Sequence, residues 1–198
     1  MADLTTLRRS PLAHLTDRMA QASHGAVGLS ETACTGMVSV RVSAESSAAE
    51  RIATVLGAPL PAACGEVTSG EVTSAGDHHA LWLGPDEWLV VTGTDPVALA
   101  DQLEAAVGDD PGLVLDVSAN RTVLELTGPK ARNVLEKGCP VDLHPRAFGP
   151  GRAVSTTLAR VPVLLWQTGE PTYRLLPRSS FADYVSRWVL DAMVEHTG

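Results

Sequence analysis

Residues 113–146, LVLDVSANRTVLELTGPKARNVLEKGCPVDLHPR, determine the fold that the sequence predicts. The stretch reads as a turn, a strand over 121–126, a second turn, a helix and a final turn. Gly128-Pro129 begins the helix and Gly138 ends it. The predicted inward face of this helix is Ala131, Val134 and Leu135. A strand and helix of this kind are a building unit of a fold and contain few groups capable of catalysis.

The order of elements continues towards the C-terminus. A hairpin is predicted from strands at 161–167 and 173–176 around the turn Gly169-Glu170-Pro171. A final helix follows, with Ser180 and Asp183 at the spacing of a capping box. Its predicted buried face has helical spacing and consists of Phe181, Tyr184, Val185, Trp188, Val189 and Ala192.

The first half of the chain shows a matching order. It contains an alternating strand at 37–42, followed by a helix with Ser47 and Glu50 as its capping box and Gly57 as its stop. A hairpin of 81–83 with 88–92 comes next. Asp95 and Pro96 then begin a second helix, whose predicted buried face is Leu99, Leu103, Ala106 and Val107.

The two halves repeat one pattern at an offset of 84 or 85 residues, although their sequences differ. The matched pairs are Val38 and Thr122, Trp88 and Tyr173, and Val97 and Phe181. We therefore predict an α+β fold of two pseudo-repeated β-α-β-β-α units with antiparallel sheets, at about 37–108 and 121–194. Each unit would leave one sheet face for the other half or a partner to cover.

Two segments fall outside this repeat. Residues 1–35 lack sustained periodicity apart from a possible short helix through Leu12, Leu15 and Met19, so we predict an N-terminal arm preceding a domain of 36–198. Residues 58–79 contain GEVTS twice in succession. Their small polar side chains predict an exposed loop or a weak hairpin.

Composition limits the class of protein. The chain has 198 residues, 44% of them hydrophobic, and a net charge of −8, which disfavours a nucleic-acid partner. No apolar run approaches the ~18 residues that span a membrane, and the N-terminus lacks the features of a secretory signal. Three cysteines without CxxC spacing indicate free thiols. We expect a soluble cytoplasmic protein with no membrane or nucleic-acid partner.

No phosphate-binding motif is present. The sequence has no Gly-Lys-Ser/Thr and no GxGxxG after a strand. Gly128-Pro129-Lys130 begins a helix, and Gly149-Pro150-Gly151-Arg152 is typical of a turn because proline removes an amide donor.

The remaining polar groups favour structural roles. His78 and His79 are adjacent, so their side chains point apart on a strand, and no HxxxH, HxH or CxxC accompanies them. His144 lacks a recognisable nucleophile, and Cys139 precedes a proline at a helix end. The set Asp116, Ser118 and Asn120 suits a turn before a strand. We therefore predict no catalytic, cofactor-binding or metal-binding residue in this chain.

Several long segments carry a resemblance to a known family. They are 8–14 (RRSPLAH), 81–91 (LWLGPDEWLVV), 116–148, 159–167 (ARVPVLLWQ) and 172–192. The chain resembles the gamma subunit of heterotetrameric sarcosine oxidase over nearly its whole length, most specifically in LGPDEW and KGCPVDLHPRAF. The broader order of DxS, strand, GPxA and helix is similar to the folate-binding domain of aminomethyltransferases. The duplication at 65–74 departs from the family pattern.

The resemblance implies a function within a complex. Such complexes contain alpha, beta, gamma and delta subunits, are cytoplasmic and oxidise sarcosine to glycine, with hydrogen peroxide and 5,10-methylenetetrahydrofolate as products. FAD, covalent FMN, NAD and the tetrahydrofolate site belong to the two large chains, and zinc belongs to delta. The implied role of this chain is that of a non-catalytic structural subunit with alpha, beta and delta as partners.

The contacts expected with those partners are Arg8, Arg9 and Pro11 of the arm, together with Trp82 and Trp88 of one hairpin. For the two tryptophans a place in the core is an equal alternative, whereas Trp166 and Trp188 are predicted core residues. Two other functions stay open. One is a free-standing folate-binding or one-carbon transfer protein, in which Asp116 or Glu125 would hold the pterin, and the other is an adaptor without fixed stoichiometry.

Overall fold

A computed structural model describes residues 8–72 and 76–196. These residues form an α+β fold with two five-stranded sheets and divide into two compact units. Unit 1 comprises the described parts of Met1–Cys34, Ala119–Pro150 and Ser155–Gly198. Unit 2 comprises the described parts of Thr35–Ser118 together with Gly151–Val154.

The helices and strands are numbered in chain order. The strands are β1 (Gly28–Thr32), β2 (Gly36–Val42), β3 (Val67–Val72), β4 (Gly76–Gly84), β5 (Glu87–Thr92), β6 (Gly112–Asp116), β7 (Val123–Thr127), β8 (Arg152–Leu158), β9 (Val161–Gly169) and β10 (Thr172–Pro177). The α-helices are α1 (Thr16–Ala22), α2 (Ser47–Leu56), α3 (Pro96–Val107), α4 (Ala131–Glu136) and α5 (Ala182–Met193).

The two sheets confirm the predicted repeat. The strand order is β3-β4-β5-β2-β6 in unit 2 and β8-β9-β10-β7-β1 in unit 1. The run β2-α2-β4-β5-α3 thus corresponds element by element to β7-α4-β9-β10-α5, and both hairpins are antiparallel. The edge strand beside β2 and the one beside β7 come from different places in the chain. Strand β6 follows the run β2-α2-β4-β5-α3, whereas β1 precedes β7.

The N-cap residue of α2 lies one position before the predicted one. Ser46 is the N-cap residue, and its hydroxyl accepts a hydrogen bond from the Ala49 amide. Ser47, the predicted cap, instead donates its hydroxyl hydrogen to Asp110 at 2.9 Å. The predicted stop is confirmed, since Gly57 adopts a left-handed conformation with φ of 71°.

The core of unit 2 lies between its sheet and helices α2 and α3. The buried residues of both helices meet the face of the sheet that carries Val38, Val40, Trp88 and Val90. Asp95 caps α3, Pro96 opens it, and the four predicted core residues of α3 are buried. Burial of such a set is the main favourable contribution to folding.

Helix α5 buries a face that only partly overlaps the predicted one, since Val185, Val189 and Ala192 are buried as predicted and Trp188 is half-buried. Its buried residues are Ala182, Val185, Ser186, Val189, Leu190, Ala192 and Met193. Phe181 and Tyr184, predicted to be inward, are exposed. The predicted capping box is also absent, because Asp183 binds His14 and Arg187 and a 3-10 turn at Ser179–Phe181 leads into the helix. Small residues at Ala182 and Ser186 allow close packing, which a pattern of large apolar residues does not reveal.

The N-terminal region differs from the predicted arm. Within the described residues, 8–34 belong to unit 1, where Leu12, Leu15 and Met19 are buried. Strand β1 pairs with β7 from Gly28 opposite Thr127 to Thr32 opposite Val123. The Glu31 carboxylate accepts hydrogen bonds from the hydroxyls of Ser10 and Thr122. Strand β1 is short and only Leu29 of its residues is buried, so the sequence shows little alternation there.

The segment predicted as a loop or weak hairpin at 58–79 contains most of a hairpin. Strands β3 and β4 are paired from Val67 opposite Leu81 to Val72 opposite Gly76, whereas residues 73–75, which include the end of the second GEVTS, lie outside the described residues. Gly70 approaches the end of α2 so closely that a Cβ there would lie 1.9 Å from the Leu56 carbonyl oxygen. A glycine at this position is therefore required by packing.

Candidate functional site

Strand β6 presents an exposed apolar surface at the edge of the unit 2 sheet. Leu113 and Leu115 are 52% and 53% exposed, whereas Val114 between them packs against the core. Alternation along the strand places the two leucines on the face away from α2 and α3. We refer to Leu113 and Leu115 as the β6 leucine pair. The sequence contains the signal, LVL before an aspartate, but it does not indicate which of these residues faces the core.

Helix α5 presents a second exposed apolar surface, on unit 1. Phe181 is 42% exposed and Tyr184 is 50% exposed. The Tyr184 hydroxyl donates a hydrogen bond to the Ala159 carbonyl at 3.3 Å. Asp183, between the two aromatic residues, accepts hydrogen bonds from Arg187 and His14, each at 2.7 Å. These bonds, led by that from Arg187, lower the pKa of Asp183 below its ordinary value.

A groove lies beside the β4–β5 turn of unit 2. It is lined by Arg41, Val42, Ser43, Gly84, Pro85, Asp86, Glu87 and Pro111. The Arg41 guanidinium donates to the Glu87 carboxylate at 2.8 Å, and the Asp86 carboxylate accepts from the Ala44 amide at 2.9 Å. These polar groups hold the turn and the neighbouring strand together, which accounts for their presence without a ligand.

The residues predicted as subunit contacts have different environments. Arg8, Arg9 and Pro11 are exposed. Trp82 is half-buried and packs on the edge of the unit 2 core. Trp88 is 1% exposed, and its indole Nε1–H donates to the Pro61 carbonyl at 2.9 Å. Trp88 is therefore a core residue, which was the alternative prediction for it.

The adjacent histidines have separate structural partners. His78 is buried and its Nδ1 lies 3.0 Å from the Thr92 hydroxyl, whereas His79 Nδ1 lies 2.8 Å from the Ser69 hydroxyl on the opposite face. Burial lowers the pKa of His78, and the charge of Asp77 opposes that shift. Within residues 8–72 and 76–196, no three His, Cys, Asp or Glu side chains are grouped as metal ligands require.

The other polar candidates are also bonded within the fold. The Asp116 carboxylate accepts from the Ser118 amide at 2.9 Å and from its hydroxyl, as the predicted turn requires. Glu125 accepts from the Arg174 guanidinium at 3.2 Å, and that guanidinium lies 5.2 Å from the centre of the Trp166 ring. His144 Nδ1 accepts from the Arg146 amide at 3.2 Å. Each group stabilises a turn or a cross-strand contact.

Residues 41–195 match the sarcosine oxidase, gamma subunit family. The sarcosine oxidase subunit gamma of Corynebacterium sp. (strain U-96) is 50% identical over 198 residues, with 98% of this chain and 94% of that protein covered. The chain belongs to the sarcosine oxidase gamma subunit family. The subunit gamma of an Arthrobacter species, a further member, is 49% identical over 98% of this chain and 94% of its own.

Solved structures agree with membership of the gamma subunit family. A chain of the heterotetrameric sarcosine oxidase from Corynebacterium sp. U-96, in complex with pyrrole 2-carboxylate, has a TM-score of 0.90 at 49% identity, with 97% of each chain covered. The glycine cleavage system aminomethyltransferase T from Bartonella henselae has a TM-score of 0.67 at 15% identity. That match covers 91% of this chain and 49% of the other, and it shows a shared fold alone.

The described residues form no helix that is long and apolar enough to cross a membrane.

Proposed function

We propose that this chain is the structural, non-catalytic gamma subunit of a cytoplasmic heterotetrameric sarcosine oxidase, with alpha, beta and delta subunits as its partners. The observation that carries the proposal is its likeness to a chain of a heterotetrameric sarcosine oxidase, at a TM-score of 0.90 and 49% identity over 97% of both chains. A shared family and backbone fold over nearly the whole of both chains support the same role for this chain.

The chemistry of the complex is assigned to the other subunits. The complex oxidises sarcosine to glycine, reduces oxygen to hydrogen peroxide and transfers the released carbon to tetrahydrofolate. FAD, covalent FMN, NAD, tetrahydrofolate and zinc are bound by the partner chains. Supporting this division, Asp116, Glu125 and His144 are each bonded to a turn or a neighbouring strand in this chain.

The contribution of this chain is to present surfaces on which the large subunits assemble. The proposed contacts are the exposed N-terminal residues Arg8, Arg9 and Pro11, together with half-buried Trp82. The β6 leucine pair and the exposed rings of Phe181 and Tyr184 extend this set. Aromatic and arginine side chains are enriched among residues that dominate subunit contacts.

Co-expression of the four chains with an affinity tag on this one tests the proposal. We expect native mass spectrometry to show a 1:1:1:1 complex that contains flavin and produces peroxide when sarcosine is added. Omission of this chain should lower the yield of assembled alpha and beta subunits. Recovery of this chain alone, under conditions in which the others assemble, would contradict the proposal.

The same preparation distinguishes the alternative function. A free-standing folate-binding protein would retain tetrahydrofolate when purified without partners, and its affinity would fall on Asp116→Asn or Glu125→Gln substitution. We expect no retention, since both carboxylates already accept hydrogen bonds within the fold.

A further inference from the structure

The outer edge of β6 is a row of backbone groups that face away from the sheet. Among the described residues, β2 is its one neighbour in the sheet order, with Ser39 opposite Leu115 and Arg41 opposite Leu113. The amide of Val117 donates to the Met37 carbonyl at 2.8 Å. This bond shows which residues of β6 direct their backbone groups towards β2. Alternate residues of an antiparallel strand face the same neighbour. The N–H and C=O groups of Gly112, Val114 and Asp116 therefore point outward.

The exposed side chains of β6 set it apart from the other edge strands. On β1, β3 and β8, the exposed side chains among those described are all Ser, Thr or Arg, namely Ser30, Thr32, Ser69, Arg152, Ser155 and Thr157. Edge strands are ordinarily protected from pairing by polar or charged residues. On β6 the equivalent exposed positions include Leu113 and Leu115. Leaving this pair in water is unfavourable, which indicates that a partner covers it.

We infer that β6 is the site at which an extended segment of another subunit adds a sixth strand to the unit 2 sheet. This inference rests on the proposed function and specifies its geometry. The incoming strand forms backbone hydrogen bonds with Gly112, Val114 and Asp116, and its apolar side chains at alternate positions pack on the β6 leucine pair. Arg41 and Glu87, paired beside Leu113, provide a charged rim.

The geometry favours a strand over a helix. Outward donors and acceptors on β6 recur at every second residue, and a partner strand satisfies each of them in register. A helix has its backbone groups bonded internally and could contact the two leucines only through side chains. A strand thus matches both features of the edge, whereas a helix matches one.

Charge favours a segment of another subunit over a second copy of this chain. Exposed acidic residues flank β6, with Asp109 before it and Asp116 at its end. This chain also has a net charge of −8, so two copies would repel each other. A segment with Lys or Arg beside its apolar residues would complement the edge.

Substitutions in the co-expressed four-chain complex test the leucine pair. Leu113→Lys/Leu115→Lys is expected to lower the recovery of partner subunits by about tenfold or more, as loss of a central contact does. The control is Val97→Lys, which places the same charge at a 49% exposed apolar position on α3. This control should assemble as the wild type does.

A second pair of variants tests the backbone contact. Val114→Ala and Val114→Pro both remove the valine side chain that packs on the core, but only proline also removes the outward amide. We expect the alanine variant to assemble and the proline variant to lose about tenfold or more in partner recovery. Hydrogen exchange at 112–116 should also be at least about tenfold slower in the wild-type complex than in the full chain purified alone.

The outcomes separate the inference from the proposed function. If the wild type recovers its partners and the double lysine variant recovers them equally, with exchange at 112–116 unchanged by assembly, strand addition at β6 is wrong while the subunit role stands. If the wild type recovers no partner, both fail. A dimer of this chain alone that the double lysine variant abolishes would replace the partner subunit with a second copy and overturn the inference.

Discussion

His78 makes the stability of unit 2 dependent on pH. Its ring is buried against Thr92, and burial holds its pKa below the ordinary value of 6.5. The unfolded chain therefore binds a proton at this residue at a higher pH than the folded chain does. The contribution of neutral His78 to the stability of the fold is complete above the pKa of this residue in the unfolded chain. It is lost as pH falls through 6.5 towards the lower pKa of His78 in the folded chain.

We predict that His78→Asn reduces this dependence. Asparagine stays neutral and can accept a hydrogen bond from the Thr92 hydroxyl, so folding no longer competes with protonation. The measurement is the free energy of unfolding in urea at about pH 7.5 and about pH 5.5 for both proteins. The wild type should lose more stability over this interval than the variant, and equal losses would show that His78 does not couple to folding. Other ionisable groups are present in both proteins and cancel in this comparison.

Some single-residue roles follow from sequence and others require the fold. The stop at Gly57 and the cap at Asp95 were predictable because each depends on neighbouring residues. The choice between Ser46 and Ser47 as the cap of α2 depends on Asp110, which is distant in sequence and binds Ser47. Trp88 was ambiguous for the same reason, since its partner is the carbonyl of Pro61.

At the scale of an element, α5 has two apolar faces with different consequences. Val189 is fully buried, whereas Phe181 is 42% exposed. We predict that Val189→Ala lowers the free energy of unfolding by about 2 kcal/mol, since it leaves a cavity, and that Phe181→Ala lowers it by less than about 1 kcal/mol. Urea unfolding of the two variants measures both values. A larger loss from Phe181→Ala than from Val189→Ala would contradict the burial of Val189 and the exposure of Phe181.

The N-terminal region provides the second element-scale prediction. If residues 1–35 were the separate arm that the sequence predicts, deletion of residues 1–30 would weaken assembly more than the fold. The structure predicts the opposite, because the deletion removes buried Leu12, Leu15 and Met19 and most of β1. We expect a loss of several kcal/mol of stability and a reduced far-UV circular dichroism signal.

A surface variant provides the control for this deletion. Arg8→Ala/Arg9→Ala changes exposed residues and should leave the free energy of unfolding within about 0.5 kcal/mol of the wild type. A deletion variant as stable as this control would show that β1 and the preceding helix do not support unit 1.

The elements that could be predicted share a property. Strands β2, β5 and β7 and helices α3 and α4 have local periodicity or capping residues, and their approximate positions were correct. Strands β1, β6 and β8 were not predicted, and β3 was predicted only as part of a possible weak hairpin. These four lie at the edges of the two sheets, where one neighbour and mixed burial give weak alternation. Edge strands are therefore the part of this fold that sequence reasoning detects least.

At the scale of the whole molecule, the family could be predicted and the contact surfaces could not. Long motifs such as KGCPVDLHPRAF carry the family resemblance directly. A surface for a partner depends on which apolar residues stay exposed after folding. Leu113, Leu115, Phe181 and Tyr184 look like core residues in the sequence, and their exposure is visible only in the folded chain.

The most direct test of the central claim is the turnover number of the assembled complex with sarcosine. The chain should be compared as wild type and with Asp116→Asn, Glu125→Gln and His144→Asn, each of which removes acid or base chemistry. The first two nearly preserve shape, and asparagine at 144 keeps a side-chain acceptor for the Arg146 amide. We predict kcat within about twofold of the wild type for each variant, because these side chains serve turns and strand contacts. A loss of about 100-fold or more in an intact, flavin-loaded complex would show that this chain supplies a catalytic group and contradict its role as a structural subunit.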